Sequence, residues 1–277
     1  MDFIDLHVHT RASDGLLSPE EVVYWASKKN LAAIAITDHD TIDGIQEALD
    51  YGKKYNVEVI PGIEINTDYK GSEVHILGYY IDYKDPWFKN ILKKISSARF
   101  DRAKIIIEKL NKLGLSITLE EVLEISGEAS IGRPHIARVL VNKGLAYNNK
   151  EVFDKYIGIK GPAYADRYKI TPSTAIAYIL KNGGIPVLAH PGLIKDLTII
   201  KELVDNNLQG LEVFHTKHNG DMVKFLLDLA KKYDLIITGG SDCHGSLTNG
   251  VPLLGSLNID KKYLDILKLK YHRLHTD

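Results

Sequence analysis

The feature that most restricts the fold of this chain is an alternation. Short apolar runs, rich in β-branched or aliphatic residues, are separated by segments carrying helix start and stop signals. The runs are Phe3–Leu6, Ala32–Ile36, Val57–Ile65, Val74–Ile81, Ile185–Ala189, Leu211–Phe214 and Leu235–Thr238. Their length and composition read as buried strands. Between them, Ser18-Pro19-Glu20-Glu21 offers an N-cap, a proline at the first helical position and the glutamate of a capping box. Thr171-Pro172 repeats that start, and Val223–Tyr233 has helical apolar spacing with Lys231-Lys232 near its end, where positive charge suits the helix dipole. Such alternation predicts an α/β protein with a mostly parallel sheet, open or closed into a barrel. Seven runs is one short of the usual eight for a (β/α) barrel.

The alternation lapses between residues 85 and 165. Ile91, Leu92, Ile95, Ile106, Ile107, Leu110 and Leu113 predict a long amphipathic helix closed by Gly114. Thr118-Leu119-Glu120-Glu121 has the spacing of a second capping box, and Ile136, Val139, Leu140 and Leu145 predict a third helix. The expected organisation is a barrel built from residues 1–84 and 166–277, with a helical insertion, 85–165, contributing to the substrate pocket. Lys89–Lys112 carries eight basic residues against two acidic ones, which reads as a solvated face rather than a nucleic-acid surface.

Composition narrows the function. With 35 basic and 36 acidic residues, the 277-residue chain has a formal net charge of -1, against a coat of nucleic acid or a basic membrane-binding face. One cysteine excludes an intrachain disulfide and any multi-cysteine zinc or iron–sulfur site. The N-terminal residues lack a basic start and an apolar signal core, and no apolar stretch reaches the ~20 residues of a membrane span, so a cytoplasmic protein is expected.

The eleven histidines carry the functional message. His7 and His9 end the first run, His39 follows the second, Glu64 lies at the end of the third, His75 is in the fourth, His190 follows the fifth, and Asp242 and His244 follow the seventh. Side chains alternate along a strand, so His7 and His9 face the same way about 7 Å apart at Cα. The same parity would bring Asp242 and His244 together and turn Cys243 away. In a parallel β/α fold, residues at the C-terminal strand ends converge on one pocket. A single histidine at a strand end is ordinarily a hydrogen-bonded structural residue. Six of them with several carboxylates and little cationic counterweight call for divalent ions, which bind neutral imidazole and ionised carboxylate directly. With Asp14 there are nine candidate ligands, more than the four of a structural zinc or the three plus water of a catalytic one. Nine donors with one shared carboxylate suit three ions. Two or three metals can generate a nucleophile from water at neutral pH and clamp the oxygens of a phosphate. No other nucleophile stands out, since Gly239-Gly240-Ser241-Asp242 is not a Gly-x-Ser-x-Gly elbow.

Asp5-Leu6-His7-Val8-His9-Thr10, Thr37-Asp38-His39-Asp40, Gly62-Ile63-Glu64, Val74-His75, Leu188-Ala189-His190-Pro191 and Gly240-Ser241-Asp242-Cys243-His244 span the chain in order. On these motifs it resembles the PHP (polymerase and histidinol phosphatase) family of metal-dependent phosphoesterases. The resemblance implies a distorted seven-stranded (β/α) barrel and a site for two or three divalent ions. One ion would be held by His7, His9, Glu64 and Asp242. A second would share Glu64 and add His75 and His190, and a third would take Asp14, His39 and His244. Mixed histidine and carboxylate ligands admit Mn, Fe and Zn.

Within the family, Gly132-Arg133-Pro134-His135-Ile136-Ala137-Arg138-Val139-Leu140-Val141, Tyr156-Ile157-Gly158 and Gly161-Pro162-Ala163-Tyr164 resemble the branch that removes phosphate from 3′,5′-nucleoside bisphosphates and degrades short RNA from the 5′ end. Arg133 offers a bidentate fork for phosphate at a helix start; a surface salt bridge is the plainer account. His135 could hydrogen-bond substrate or protonate the leaving oxygen. His218 lies at the same end of the barrel and is a candidate for a leaving-group role. Lys160 and Tyr164 could touch phosphate or stack a base, or simply sit on an exposed loop. Asp38 and Asp40 read as residues that orient imidazoles. His215 reads as structural, and His272 and His275 as tail surface. The expected activity is hydrolysis of nucleotide phosphomonoesters, extending to 5′ ends of short RNA, with a small phosphorylated partner and no stable nucleic-acid complex. Histidinol-phosphate phosphatase and a non-catalytic metal- or nucleotide-binding module are the competing readings.

Overall fold

β1 (Phe3–Val8) leads through a tight loop to α1 (Pro19–Lys28), then β2 (Leu31–Ile36), α2 (Ile45–Tyr55) and the long β3 (Glu58–Tyr69). The computed structural model describes residues 2–127, 129–166 and 168–276. β3 turns back at Lys70-Gly71 into β4 (Ser72–Tyr79). Then come α3 (Pro86–Lys112), α4 (Leu119–Ser126), α5 (Arg133–Asn142) and the short α6 (Asn149–Val152), which runs into one π-helical turn, Phe153–Ile157. The α/β pattern resumes with α7 (Pro172–Lys181), β5 (Ile185–Leu188), α8 (Ile199–Asp205), β6 (Gly210–His215), α9 (Gly220–Lys232) and β7 (Ile236–Gly240). The chain ends with β8 (Leu247–Thr248), β9 (Val251–Pro252), β10 (Ile259–Asp260) and α10 (Lys262–Thr276).

The capping signals are realised as read. Ser18 and Glu21 form a reciprocal capping box, as do Thr118 and Glu121, and Thr171 accepts from the Thr174 N–H. The seven predicted runs become β1 to β7. The main sheet nevertheless has eight strands, in the order β10-β1-β2-β3-β4-β5-β6-β7, because the two-residue β10 adds antiparallel to β1. It is also less parallel than expected. β3 and β4 form a hairpin, so β4 runs antiparallel to β3 and to β5. The turn at Lys70-Gly71 leaves no room for a crossover helix, which a parallel pair requires.

The sheet almost closes. β7 lacks a full ladder to β1, but past its end the Asp242 N–H donates to the His7 carbonyl at 2.9 Å and the His9 N–H to the Cys243 carbonyl at 3.0 Å. Gly240 permits this approach: a Cβ there would stand 2.3 Å from the His7 backbone nitrogen. Alternate strand positions face two apolar layers. Ile34 and Ile36 join the layer under the helices with Val22, Ala48, Ile176 and Leu226, whereas Ala33 and Ala35 join a second layer closed by Leu264 and Leu267 of α10. α3 serves two cores, with Phe88, Leu92 and Ile95 in the sheet's core. Ala103, Ile106 and Leu110, further along, build a separate cluster with Val122, Ile136, Leu140 and Ile157.

Candidate metal centre

The polar pole of the sheet is organised around Glu64, which is fully buried in the middle of β3. Five imidazoles approach its two oxygens. His7 Nε2 and His9 Nε2 lie 3.3 Å from Oε2, and His39 Nδ1 lies 3.0 Å from it. His75 Nδ1 and His190 Nε2 stand 2.9 and 3.0 Å from Oε1. The antiparallel course of β4 explains how His75 gets there: it lies near the start of its strand, and the reversal carries it to the mouth where parallel strands end. Asp242 Oδ1 adds contacts of 3.5 Å to His7 and 3.1 Å to His9. Asp14 Oδ1 lies 3.3 Å from His244 Nε2.

All nine predicted ligands are therefore brought together, although two details differ from the sequence reading. Asp242 has φ of 55°, so it meets His244 through a left-handed turn and not by strand parity; the His244 Nδ1 to Asp242 Oδ1 distance is 3.6 Å. His190, with φ of 29°, and Asp40, with φ of 54°, also hold conformations that L-residues rarely adopt, and such strain concentrates at functional sites. Among the described residues, neither Asp38 nor Asp40 hydrogen-bonds directly to an imidazole. Asp38 accepts from the Thr10 N–H, the Thr10 hydroxyl and the Ser13 hydroxyl, fixing the loop that carries Asp14. Asp40 accepts from the backbone and side-chain amides of Asn66 and pairs with Arg99 Nε at 2.9 Å, while Asn66 reaches His39.

The donor set fits divalent ions. Donor atoms lie within 4.8 Å of one another in three groups: His9, Asp14, His39 and His244; His7, His9 and Asp242; and His39, Glu64 and His75. None of the imidazole contacts to Glu64 Oε2 has hydrogen-bond geometry, and His9 Nδ1 is likewise buried without a hydrogen-bond partner. Burial alone would push the carboxyl groups up, yet neighbouring histidines hold Glu64, Asp14 and Asp242 well below the usual carboxylate range. Burial likewise opposes charge on the histidines, but Asp242 and Glu64 raise His9 to about 10, and Glu64 with Glu73 raises His75 to about 9. Ionised carboxylates thus draw positive charge into a dry pocket. Protons satisfy that demand poorly, because a protonated imidazole has no lone pair to share; a divalent ion satisfies it with neutral imidazoles.

Beside the cluster is a cavity lined by Asp14, His39, Glu73, His75, Arg99, Arg102, Arg133, Phe153 and Tyr168. Arg133 lines it as expected, but its Nη2 is also paired with Glu73 Oε2 at 3.0 Å, and the other Glu73 oxygen lies 3.1 Å from His75 Nε2. Lys160 and Tyr164 are not among the lining residues; the Tyr164 ring lies against the Arg102 guanidinium instead. His135 is 1% exposed, its Nδ1 accepts from the Gly132 N–H at 3.0 Å, and burial lowers its pKa to about 4. His218 donates from Nδ1 to the Val213 carbonyl and accepts at Nε2 from the Gly192 N–H. That ring is a backbone clamp with both nitrogens engaged. Glu212, His215 and Arg99 are among the residues that escaped the sequence reading. Glu212, fully buried on β6, lies 2.8 Å from His7 Nδ1 and accepts from the His190 N–H. An acid within the apolar run Leu211–Phe214 was the signal. His215 Nε2, read as structural, stands 3.4 Å from Asp242 Oδ2. Arg99, on the supposed solvated face, turns into the cavity.

A nearly closed α/β sheet with a histidine–carboxylate cluster at one pole and an arginine-lined cavity beside it defines a metal-binding barrel protein. The chain belongs to the PHP domain family, whose model matches residues 5–164. It is 34% identical over 248 residues to the 5′-3′ exoribonuclease Rnm of Salmonella typhimurium, covering 87% of this chain and 84% of that protein. It is 33% identical over 248 residues to the 3′,5′-nucleoside bisphosphate phosphatase of Chromobacterium violaceum, covering 87% of each. A solved structure from Bifidobacterium adolescentis, provisionally called a metal-dependent phosphoesterase, superposes with a TM-score of 0.88 at 29% identity over 96% of both chains. These relatives are named for hydrolysis of phosphoester bonds. Among the described residues, no helix is long and apolar enough to cross a membrane.

Proposed function

We propose that this protein is a metal-dependent phosphohydrolase acting on nucleotide phosphoesters, with 3′,5′-nucleoside bisphosphates and the 5′ ends of short RNA as its substrates. The observation that carries this reading is the convergence of five imidazoles on the Glu64 carboxylate next to a cavity lined by three arginines. His7, His9, Glu64 and Asp242 would hold one ion, Glu64, His75 and His190 a second, and Asp14, His39 and His244 a third, drawn from Mn, Fe and Zn. Such ions, when bound, activate water and neutralise charge on phosphate oxygens.

The chain's own residues supply the rest. Arg99, Arg102 and Arg133 come from the helices between β4 and β5 and give the cavity a positive wall suited to a phosphorylated ligand. Arg133 presents a planar fork to phosphate once Glu73 yields it. Phe153 and Tyr168 line the same cavity and give a flat surface for a base. Glu212 and Asn66 hold His7 and His39 in place. Because both ring nitrogens of His218 are bonded to backbone and His135 is held neutral against Gly132, neither is placed to give a proton to the leaving oxygen.

The test is phosphate release by Mn-loaded protein from 3′-phosphoadenosine 5′-phosphate, AMP, a short 5′-phosphorylated RNA and histidinol phosphate. Turnover of the nucleotides above histidinol phosphate is expected. No release from any nucleotide, or preference for histidinol phosphate, would sink the proposal.

A further inference from the structure

Asp14 differs from the other proposed ligands in where it sits. It lies on the loop six residues past the end of β1, farther from a strand end than any other proposed ligand, so nothing in the sheet's hydrogen-bond ladder fixes it. A carboxylate on a free loop would lose conformational entropy on binding an ion. This loop is instead bonded from two sides. From the barrel, Asp38 takes the Thr10 and Ser13 hydroxyls. From the helical segment, successive residues of the loop are each engaged. The Ser130 N–H donates to the Ala12 carbonyl at 3.1 Å. The His135 ring interacts with the Ser13 backbone, and Arg138 Nη2 donates to the Asp14 carbonyl. The Arg138 contact falls on the main chain, which leaves the Asp14 carboxylate to face His244.

We infer that α5 is a clamp for the metal-ligand loop, with Arg138 a positioning residue that holds Asp14 in its ion-binding geometry. This rests on the reading of Asp14, His39 and His244 as a metal site. Another face of α5 packs into the separate helical core through Ile136, Val139 and Leu140. The helical segment therefore has a second task besides walling the cavity: its docking onto the barrel completes the Asp14 site. Partners that orient metal ligands typically contribute roughly 10- to 100-fold to metal affinity.

The experiment uses full-length, metal-stripped protein and Mn²⁺ alone, with bound metal counted by equilibrium dialysis and elemental analysis. Asp14→Ala is the reference, Arg138→Met removes the donor while keeping an apolar stem, and Arg138→Lys restores a donor. Wild type is expected to bind three equivalents and Asp14→Ala two. Arg138→Met should weaken one equivalent roughly 10- to 100-fold and leave the other two unchanged. Arg138→Lys should recover only part of that loss, whereas a residue that served only to dock the helix would let Mn affinity follow the thermal midpoint. Unchanged Mn binding in Arg138→Met, alongside the loss of one ion in Asp14→Ala, overturns the clamp and leaves the metal site standing. Three full-affinity equivalents in Asp14→Ala overturn both. Should Arg138→Met lower the thermal midpoint of the metal-free protein, Arg138→Lys decides: a wild-type midpoint with one weakened ion supports the clamp, and wild-type Mn binding overturns it.

Discussion

Glu212 shows how much a single buried acid can govern at this pole. It is fully buried, ionised by its proximity to His7 against the cost of burial, and it holds both the His7 ring and the His190 backbone. Glu212→Gln keeps the shape but removes the charge that aligns His7 and raises its basicity. Metal affinity at that ligand should fall roughly 10- to 100-fold, as seen by titration calorimetry with Mn²⁺; an unchanged isotherm would show that His7 is held by packing alone. Glu73 calls for a different readout. It binds both Arg133 and His75, so it competes with any phosphate for the Arg133 fork. Glu73→Gln should lower KM for a nucleotide bisphosphate and also lower kcat, because His75 loses a charged partner. A raised KM would refute the competition. The histidine–carboxylate cluster itself was legible because imidazoles and carboxylates at run ends have few structural uses in such numbers. Glu212 was not, because an isolated acid in an apolar run reveals its role only when a strand from elsewhere in the chain brings it a histidine; Glu73 was not, because its Arg133 partner comes from α5.

Elements were legible where the chain signals its own boundaries. Ser18-Pro19, Thr118 and Thr171 mark their helices by local hydrogen bonds that no tertiary contact is needed to form. The seven apolar runs appear as β1 to β7 for a similar reason, since burial on both faces leaves a plain hydrophobic signature. Direction and pairing were not local. The reversal at β4 depends on the Lys70-Gly71 turn, and β10 is too short to have a pattern of its own. Arg99 and Arg102 were misread because charge counting on α3 cannot tell its cavity side from its solvent side. Closure belongs to this scale as well. A methyl group at Gly240 would collide with the His7 backbone at 2.3 Å, where the sheet comes together and two ligands begin. Gly240→Ala should cost at least about 1–3 kcal/mol by overpacking, measured by urea denaturation. It should also weaken Mn binding, because β7 and β1 must separate to fit the methyl group. Loss of stability with wild-type metal affinity would mean that the closing contact and the metal centre are independent.

For the molecule as a whole, the same electrostatics join folding to metal and pH. His9 and His75 have folded-state values of about 10 and about 9, above the ordinary 6.5 of an unfolded chain. A raised value means that the folded protein holds these protons more tightly. The metal-free protein therefore has this contribution in full below about pH 6.5 and loses it as pH rises through 9 and 10. The thermal midpoint of metal-stripped protein should accordingly fall between pH 6.5 and about pH 9.5. Ions reverse the sign, because binding requires neutral imidazole and releases those protons. Stabilisation by Mn²⁺ should thus grow with pH over about 6.5 to 8.5, approaching about 2.7 kcal/mol for each site at a free concentration 100 times its dissociation constant. A metal-free protein that gains stability over that alkaline range, or a Mn²⁺ increment indifferent to pH, would contradict the proton-for-metal exchange. Chelation should then act most strongly at the barrel mouth, where β1, β3, β4 and the segment after β7 are held apart by like charges unless protons or ions stand between them. Hydrogen exchange that rises at His7–His9 and Ser241–His244 on metal removal, while the α3–α5 core keeps its protection, is the expected result. Uniform loss of protection across both cores would instead make the metal centre the keystone of the entire fold.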